Sequence, residues 1–309
     1  MILCLGTTPA VQRTMIFKQL TLNQVNRAVE VLETPAGKSI NVAKILTILG
    51  EPALAIGFLG GDRGEQLRRD LDAAGVPHDF ITVQANTRMC ITVIDQASDV
   101  HTELVEEAPP VEQDAWNALL AKLPALIQKS RMVTMSGTLV PGAPQDLYAQ
   151  CAHLAAQAGI PAIIDAQGPA LLAALPAKPL LVKPNRAELA KTLGQSLETE
   201  SALRDAMRHV HELGAANILI TMGGDGALGF DGRSFFHIDP PKIDVVNTIG
   251  SGDSVTAGIA QAMLHGQSFQ EACRLGIACG AANALTIVSG LVHVPDVQRL
   301  LPQVRIRPA

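Results

Sequence analysis

The segment Asn247-Thr248-Ile249-Gly250-Ser251-Gly252-Asp253-Ser254 places two glycines and a carboxylate where a loop enters an apolar, helix-compatible run. If Ser254–Leu264 is helical, the N–H groups of Gly250, Ser251 and Gly252 lie at the positive end of the helix dipole and can bind a phosphate oxygen. Glycine is needed there because a Cβ would keep the anion away. An ordinary glycine-rich turn with an acidic first-turn residue explains the same run equally well.

Composition excludes several classes of function. The 309 residues are 48% hydrophobic and 17% charged, which is typical of a globular protein, and the net charge of -5 argues against a nucleic-acid partner. No apolar run approaches the roughly 20 residues that span a bilayer, and Met1–Gly6 lacks the features of a signal peptide, so we expect no membrane association and a cytoplasmic location. The five cysteines show no CxxC spacing and are expected to be reduced core residues.

Short apolar runs alternate with Ala- and Leu-rich segments, and this rhythm predicts βα units around a mostly parallel sheet flanked by helices. The predicted buried strands are Ile2–Leu5, Ala53–Phe58, Met132–Met135, Ala162–Asp165, Leu180–Val182 and Ile218–Thr221. The predicted helices are Ser39–Leu49, Gly64–Ala74 and Pro144–Ala158, and the last third of the chain is helical again.

Two segments, Thr14–Glu33 and Thr87–Glu107, break this alternation with β-type residues and no intervening helix. We expect them to form a small inserted β-sheet, drawn from residues 12–35 and 87–108 of a single α/β domain that spans residues 1–309. A sheet above the carboxyl ends of the main strands would act as a lid that excludes water, as phosphoryl transfer requires.

Two short motifs imitate nucleotide-binding signatures but stand in the wrong context. Gly37-Lys38-Ser39 resembles the end of a P-loop, yet the position five residues before Gly37 holds Leu32 instead of glycine. Gly224–Gly229 matches G-x-G-x-x-G, but the β-like run Phe235–Ile238 follows, which predicts a hairpin and not the helix of a dinucleotide site. An oxidoreductase hypothesis would rest on this match alone.

Two further segments offer contacts for phosphates and metal. The turn Gly223–Gly226 leaves the Thr221 hydroxyl and nearby N–H groups free for an anion. Lys183 follows another strand and offers a charge for a phosphate, while Asn185 and Glu188 offer oxygen ligands to a hydrated Mg²⁺. Each segment by itself is also explained as a turn or as a helix start with an acidic first turn.

Taken together, these segments resemble the PfkB (ribokinase-like) carbohydrate kinase family over nearly the whole chain. Its GAGD-type loop corresponds to Gly250–Asp253, its T-x-G-x-x-G turn to Thr221–Gly226 and its K-P-N-x-x-E element to Lys183–Glu188. The segments that resemble the 1-phosphofructokinase and tagatose-6-phosphate kinase branch more narrowly are Asn247-Thr248, Asn86-Thr87-Arg88, Thr102-Glu103 and Ser136-Gly137-Thr138-Leu139.

The resemblance implies a ribokinase-like fold and an ATP- and Mg²⁺-dependent kinase of a ketohexose phosphate, with Asp253 as base and Gly250, Ser251 and Gly252 as anion hole. It also implies a homodimer formed through the lid. The residues it assigns to ATP are Lys183, Thr221, Gly223, Gly224, Gly226 and Asn283, and those assigned to Mg²⁺ are Asn185 and Glu188. The residues it assigns to the sugar are Gln12, Gly37, Lys38, Asn41, Arg88 and Ser136, of which Lys38, Arg88 and Ser136 would hold its existing phosphate.

Departures from the family pattern lie at the sugar end. Gln12 stands where the family has a carboxylate, and Ser39 adds a Cβ where the backbone would approach the ligand. An amide donates as well as accepts hydrogen bonds, so the preferred sugar can differ. Two alternatives stay open, a kinase of an unphosphorylated sugar or nucleoside, against which Lys38 and Arg88 argue, and a catalytically silent sugar-phosphate-binding or regulatory protein.

Overall fold

The structure is a computed structural model that describes residues 1–309. Its strands are β1 (Ile2–Leu5), β2 (Ala10–Phe17), β3 (Glu30–Ala36), β4 (Ala53–Ile56), β5 (Phe58–Gly60), β6 (Ile81–Val83), β7 (Arg88–Asp95), β8 (Val100–Val105), β9 (Met132–Ser136), β10 (Ala162–Asp165), β11 (Leu181–Val182), β12 (Asn217–Thr221), β13 (Ala227–Phe230), β14 (Phe235–Asp239) and β15 (Arg305–Pro308). Its α-helices are α1 (Lys38–Ile48), α2 (Gly61–Ala73), α3 (Gln113–Gln128), α4 (Leu147–Gln157), α5 (Gly168–Ala174), α6 (Arg186–Leu193), α7 (Glu200–Glu212), α8 (Ser251–Leu264), α9 (Phe269–Ala284) and α10 (Val294–Leu300).

A nine-stranded sheet in the order β15-β14-β13-β12-β11-β10-β9-β1-β4 forms the centre of the molecule. The six strands from β12 to β4 in this order are parallel, and the other three pair antiparallel at one edge. Helices cover both faces: Ile2 and Cys4 of β1 face a core shared with α1, α8 and α9, while Leu3 and Leu5 face one shared with α3 and α4. Burial on both faces explains why these strands are uninterrupted apolar runs.

A separate four-stranded sheet in the order β3-β2-β7-β8 is built from the two segments that interrupt the βα rhythm. Strand β2 pairs antiparallel with β3 and parallel with β7, and β8 closes the other edge. Apolar side chains of this sheet remain open to solvent, with Val31 49% and Leu104 52% exposed. The predicted mostly parallel sheet and the small second sheet are therefore both present.

The structure corrects several element boundaries. The single strand predicted over Ala53–Phe58 divides at Gly57 into β4 and β5, which belong to different sheets; a Cβ on Gly57 would lie 2.0 Å from the Gly6 carbonyl oxygen. Helix α8 begins at Ser251, three residues before the predicted start. The hairpin predicted after Gly224 is confirmed by the antiparallel pairing of β13 with β14. Strand β15 was not predicted.

All five cysteines are buried and free, as expected. None of the helices is long and apolar enough to cross a membrane.

Candidate active site

A cavity of ≈ 380 Å³ lies between the carboxyl ends of the parallel strands and the small sheet. This is the edge at which open α/β sheets bind their ligands. The predicted site residues that line it are Gln12, Gly37, Lys38, Asn41, Arg88, Lys183, Asn185, Glu188, Thr221, Gly250, Gly252 and Asp253. Residues from six separate segments of the sequence therefore meet in one place.

Gly250 caps the N-terminus of α8 in a left-handed conformation with φ 82°, which favours glycine. A Cβ on Gly250 would also lie 2.7 Å from the backbone nitrogen of Gly290. No protein group accepts the N–H of Gly250 or of Gly252, whereas the Ser251 N–H donates to the Thr248 carbonyl over 3.1 Å. The predicted anion hole therefore has two free N–H groups, those of Gly250 and Gly252, where the sequence predicted three, and both lie at the positive end of the helix dipole.

Asp253 lies in the first turn of α8 and is only 6% exposed. The Asn41 amide donates a hydrogen bond to Asp253 Oδ2 over 2.8 Å. Burial raises the pKa of Asp253 to about 6, against the opposing effect of the Lys38 ammonium. A carboxyl group with this pKa is ionised at neutral pH and is still basic enough to accept a proton.

Asp165, at the end of β10, joins two of the cationic residues of the site, Lys38 and Lys183. Its Oδ1 pairs with Lys38 Nζ at 3.0 Å and its Oδ2 with Lys183 Nζ at 2.8 Å, and the Thr256 hydroxyl donates to Oδ2. Burial opposes ionisation, but the two ammonium groups together outweigh it and lower the pKa of Asp165 to about 2. Lys38 also pairs with Glu188 at 3.1 Å, so its charge is held between two carboxylates, which raise its pKa despite burial.

Asn185 and Glu188 form a reciprocal cap at the start of α6. Asn185 Oδ1 accepts the Glu188 N–H over 2.8 Å, and Glu188 Oε2 accepts the Asn185 N–H over 2.9 Å. No group of three His, Cys, Asp or Glu side chains is arranged to hold a metal ion. This donor set does not fit an all-protein cage. It fits a hydrated Mg²⁺ that nucleotide phosphates would hold, with Glu188 and Asn185 placed to contact its water ligands.

The sugar end of the cavity differs from the sequence-based expectation in one respect. Gln12 Nε2 donates to the Thr92 hydroxyl over 2.7 Å, so the amide is held in place at the cavity wall. Ser39 is buried and does not line the cavity. Its Oγ lies next to Gly6, 2.4 Å from the position that a Cβ on Gly6 would occupy. The extra Cβ of Ser39 therefore packs into the core and does not obstruct a ligand.

Arg88 lies between the main cavity and a smaller one of ≈ 100 Å³ that Lys38, Gly137 and Thr138 also line. The Arg88 guanidinium donates to the backbone carbonyls of Thr8 and Glu106, and it pairs with no carboxylate. A cation whose charge is not neutralised by a carboxylate is suited to an anionic ligand.

Six predicted residues lie outside the cavity lining, namely Ser136, Ser251, Gly223, Gly224, Gly226 and Asn283. The Ser136 hydroxyl is buried without a partner, and its neighbours Gly137 and Thr138 line the small cavity instead. The Asn283 amide supports the loop from within, because it donates to the Ile249 carbonyl and accepts the Gly290 N–H. Gly226 makes room for the Ile238 carbonyl, 2.2 Å from where its Cβ would be.

Sequence reasoning missed Asp165, Lys44 and Ser289, and it quoted Glu103 in the Thr102-Glu103 segment without a role in the site. Asp165 and Glu103 line the cavity, as does Ser289, and the ammonium of Lys44 lies behind it. A signal existed for Asp165, since a carboxylate that ends a predicted parallel strand lies at the ligand-binding edge. No motif in the sequence points to Lys44, because it lies in the mostly apolar helix α1 without other charged residues near it in sequence.

Comparison with known proteins identifies the family of the chain. The model of the pfkB family carbohydrate kinases matches residues 1–290. The chain belongs to the pfkB family. Membership makes it a phosphotransferase that acts on a sugar hydroxyl, and it removes support from the oxidoreductase hypothesis.

Solved structures place the chain near the phosphofructokinases of this family. Phosphofructokinase-2 from Escherichia coli, in a complex with potassium, is 28% identical, with 98% of this chain and 97% of that chain covered and a TM-score of 0.89. A Thermotoga maritima protein described as a possible 1-phosphofructokinase is 22% identical, with 100% and 99% covered and a TM-score of 0.91. Arabidopsis thaliana ribokinase, complexed with ribose and ATP, is 21% identical, with 97% of each chain covered and a TM-score of 0.77. The last two show the fold alone, which is ribokinase-like.

Proposed function

We propose that this pfkB-family chain transfers the γ-phosphoryl group of ATP to a primary hydroxyl of a ketohexose phosphate, with fructose 6-phosphate, fructose 1-phosphate and tagatose 6-phosphate as the candidates. The observation that carries the proposal is the placement of the Asp253 carboxylate beside the free N–H groups of Gly250 and Gly252, in the cavity that Lys38 and Arg88 also line. The E. coli phosphofructokinase-2 has also been solved with fructose-6-phosphate, at 27% identity and a TM-score of 0.85.

In the proposed reaction Asp253 accepts the proton of the attacking hydroxyl. Its carboxylate is oriented by Asn41, and its pKa of about 6 leaves it ionised at neutral pH. The N–H groups of Gly250 and Gly252 stabilise the charge on the transferred group, since they lie at a helix N-terminus and need no reorganisation. Bound Mg²⁺ would neutralise charge on the nucleotide phosphates.

The small cavity supports a substrate that already bears a phosphate. Arg88 and Lys38 line it together with Gly137, Thr138 and Glu188, and of the two cations only Arg88 has no carboxylate partner. A guanidinium without a carboxylate partner at one end of a cavity favours a phosphate dianion over a neutral sugar end. The same arrangement disfavours an unphosphorylated sugar or a nucleoside as the substrate.

The test is ATP-dependent release of ADP over a panel of fructose 6-phosphate, fructose 1-phosphate, tagatose 6-phosphate, free fructose, ribose and a nucleoside. Asp253→Asn serves as the inactive control. We expect turnover on one or more ketohexose phosphates only, and its loss in the variant. Turnover on the unphosphorylated compounds alone would contradict the phosphate role of Arg88 and Lys38, and no turnover on any compound would favour the silent sugar-phosphate-binding protein.

We infer a homodimer formed through the small sheet. Its apolar side chains Val31, Val100, Leu104 and Val105 are each about half exposed. Exposed apolar patches on soluble proteins mark interaction surfaces. Sedimentation of the wild type and of Leu104→Asp tests this. We expect the wild type to be a dimer and the introduced charge to dissociate it, and a wild-type monomer would refute the inference.

The buried free cysteines fit a reducing, cytoplasmic compartment.

A further inference from the structure

Lys44 is a buried cation that the proposed mechanism does not use. It lies on α1, three residues after Asn41, and only 9% of it is exposed. Its ammonium donates to two backbone carbonyls, those of Pro35 and Ser289, each over 2.9 Å. A buried charge is costly unless it is hydrogen-bonded, so this side chain is held firmly by its two acceptors.

The two acceptors belong to segments that build the active site. Pro35 lies in β3, immediately before the turn at Ala36 and Gly37 that leads into α1. Ser289 lines the main cavity and precedes Gly290. Lys44 therefore joins the end of β3 in the small sheet to the loop at Ser289, which lines the cavity.

The loop at Ser289 and Gly290 supports both the anion hole and the base. Gly290 approaches the anion hole so closely that a Cβ on Gly250 would lie 2.7 Å from the Gly290 nitrogen. It also packs on Asn41, whose Oδ1 would be 2.5 Å from a Cβ on Gly290. Asn41 in turn orients Asp253. Displacement of this loop would therefore move Gly250 and Asn41 together.

We propose that Lys44 is a positioning residue whose ammonium ties β3 and the Ser289–Gly290 loop to α1, and so holds the anion hole and Asn41 in register with Asp253. The kinetic part of this proposal rests on the proposed kinase activity. The structural part does not, because the ammonium and both carbonyls belong to the chain itself.

The role of Lys44 also depends on its charge, which pH can change. Burial lowers the pKa of Lys44 to about 8, and Asp253 on α8 opposes this effect. Among the groups on α1 and on the elements packed against it, Asp253 is the only ionisable one that acts on Lys44. Below that pH the side chain is an ammonium with its hydrogen bonds formed, and above it the charge that strengthens those bonds is lost.

The kinetic test compares Lys44→Met with Lys44→Arg, and with Lys122→Met as the matched control for loss of a lysine on the surface helix α3. In Lys44→Met we expect kcat to fall about 10-fold or more, because charge-assisted hydrogen bonds are lost, with KM for both substrates little changed. Wild-type kcat should fall above pH of about 8. Lys44→Arg should keep activity and lose this alkaline decline, because a guanidinium does not titrate there.

Hydrogen exchange tests the structural part without any turnover. Peptides that cover 285–292 and 33–38 should exchange faster in Lys44→Met than in the wild type, with no change in Lys122→Met. In the wild type the same peptides should loosen between pH 7 and pH 9.5, after correction for intrinsic rates. An unchanged kcat in Lys44→Met, an alkaline decline that persists in Lys44→Arg, or equal exchange across this pH range would each overturn the proposal. An inactive wild type would instead refute the kinase assignment, and exchange would still decide the role of Lys44.

Discussion

Asp253→Asn is expected to abolish turnover and, at the same time, to stabilise the protein at neutral and alkaline pH. The pKa of Asp253 is raised from 3.8 to about 6, chiefly by burial. The folded state therefore holds this proton more tightly than the unfolded chain. The stabilisation that results is complete below pH 3.8 and is lost as pH rises through about 6. The difference between the two pKa values corresponds to about 3 kcal/mol in the free energy of unfolding.

The measurement is urea unfolding of the wild type and of Asp253→Asn between pH 4 and pH 8. The amide has nearly the shape of the carboxyl group and can still accept the Asn41 hydrogen bond, but it carries no charge into the buried site. We expect the variant to be more stable by about 3 kcal/mol at pH 8 and nearly equal to the wild type at pH 4. ADP release should be lost, with nucleotide binding retained.

Asp165→Asn is the matched control. It removes a second buried carboxylate from the same site, and the pKa of this carboxylate is shifted in the opposite direction. Two lysine ammonium groups lower the pKa of Asp165 from 3.8 to about 2, so this carboxylate contributes stability above pH 3.8 that is lost as pH falls through 2. We expect this variant to be less stable at pH 8 by about 2 kcal/mol or more, because Lys38 and Lys183 lose their partner. If Asp253→Asn were destabilised at pH 8, or followed the pH dependence of the wild type, the argument from burial would be wrong. Retained turnover would exclude Asp253 as the base.

Three further substitutions test the sugar end and the loop behind the base. Arg88→Ala should raise KM for the phosphosugar about 10-fold or more and leave KM for ATP unchanged, since in the proposed site its guanidinium binds the phosphate; equal changes in both would contradict this. Gln12→Asp should increase kcat/KM on ketohexose phosphates if the amide is what restricts the sugar, and an unchanged value would show that it is not. Gly290→Ala should lower kcat, because the new Cβ would lie 2.5 Å from Asn41 Oδ1, whereas Gly75→Ala, with a similar positive φ and open space, should not.

The alternation of apolar runs and helical segments was enough to predict the mostly parallel sheet, because strands buried on both faces must be apolar along their whole length. Segments that lacked an intervening helix were enough to predict a second small sheet. The division at Gly57 could not be predicted, because it depends on the approach of the Gly6 carbonyl from another strand. Strand β15 was missed for a related reason, since a short, mostly exposed edge strand carries little periodicity.

The site shows the same division between local and tertiary causes. The sequence by itself determined the glycine turn at Gly250, the position of Asp253 in the first turn of a helix and the hairpin after Gly224, because φ preferences and helix starts depend on neighbouring residues. Only the tertiary structure decided that Asp165 joins Lys38 to Lys183 and that Lys44 joins the end of β3 to the loop at Ser289. Partners separated by more than a hundred residues are chosen by strand order and register, which no local pattern of residues encodes.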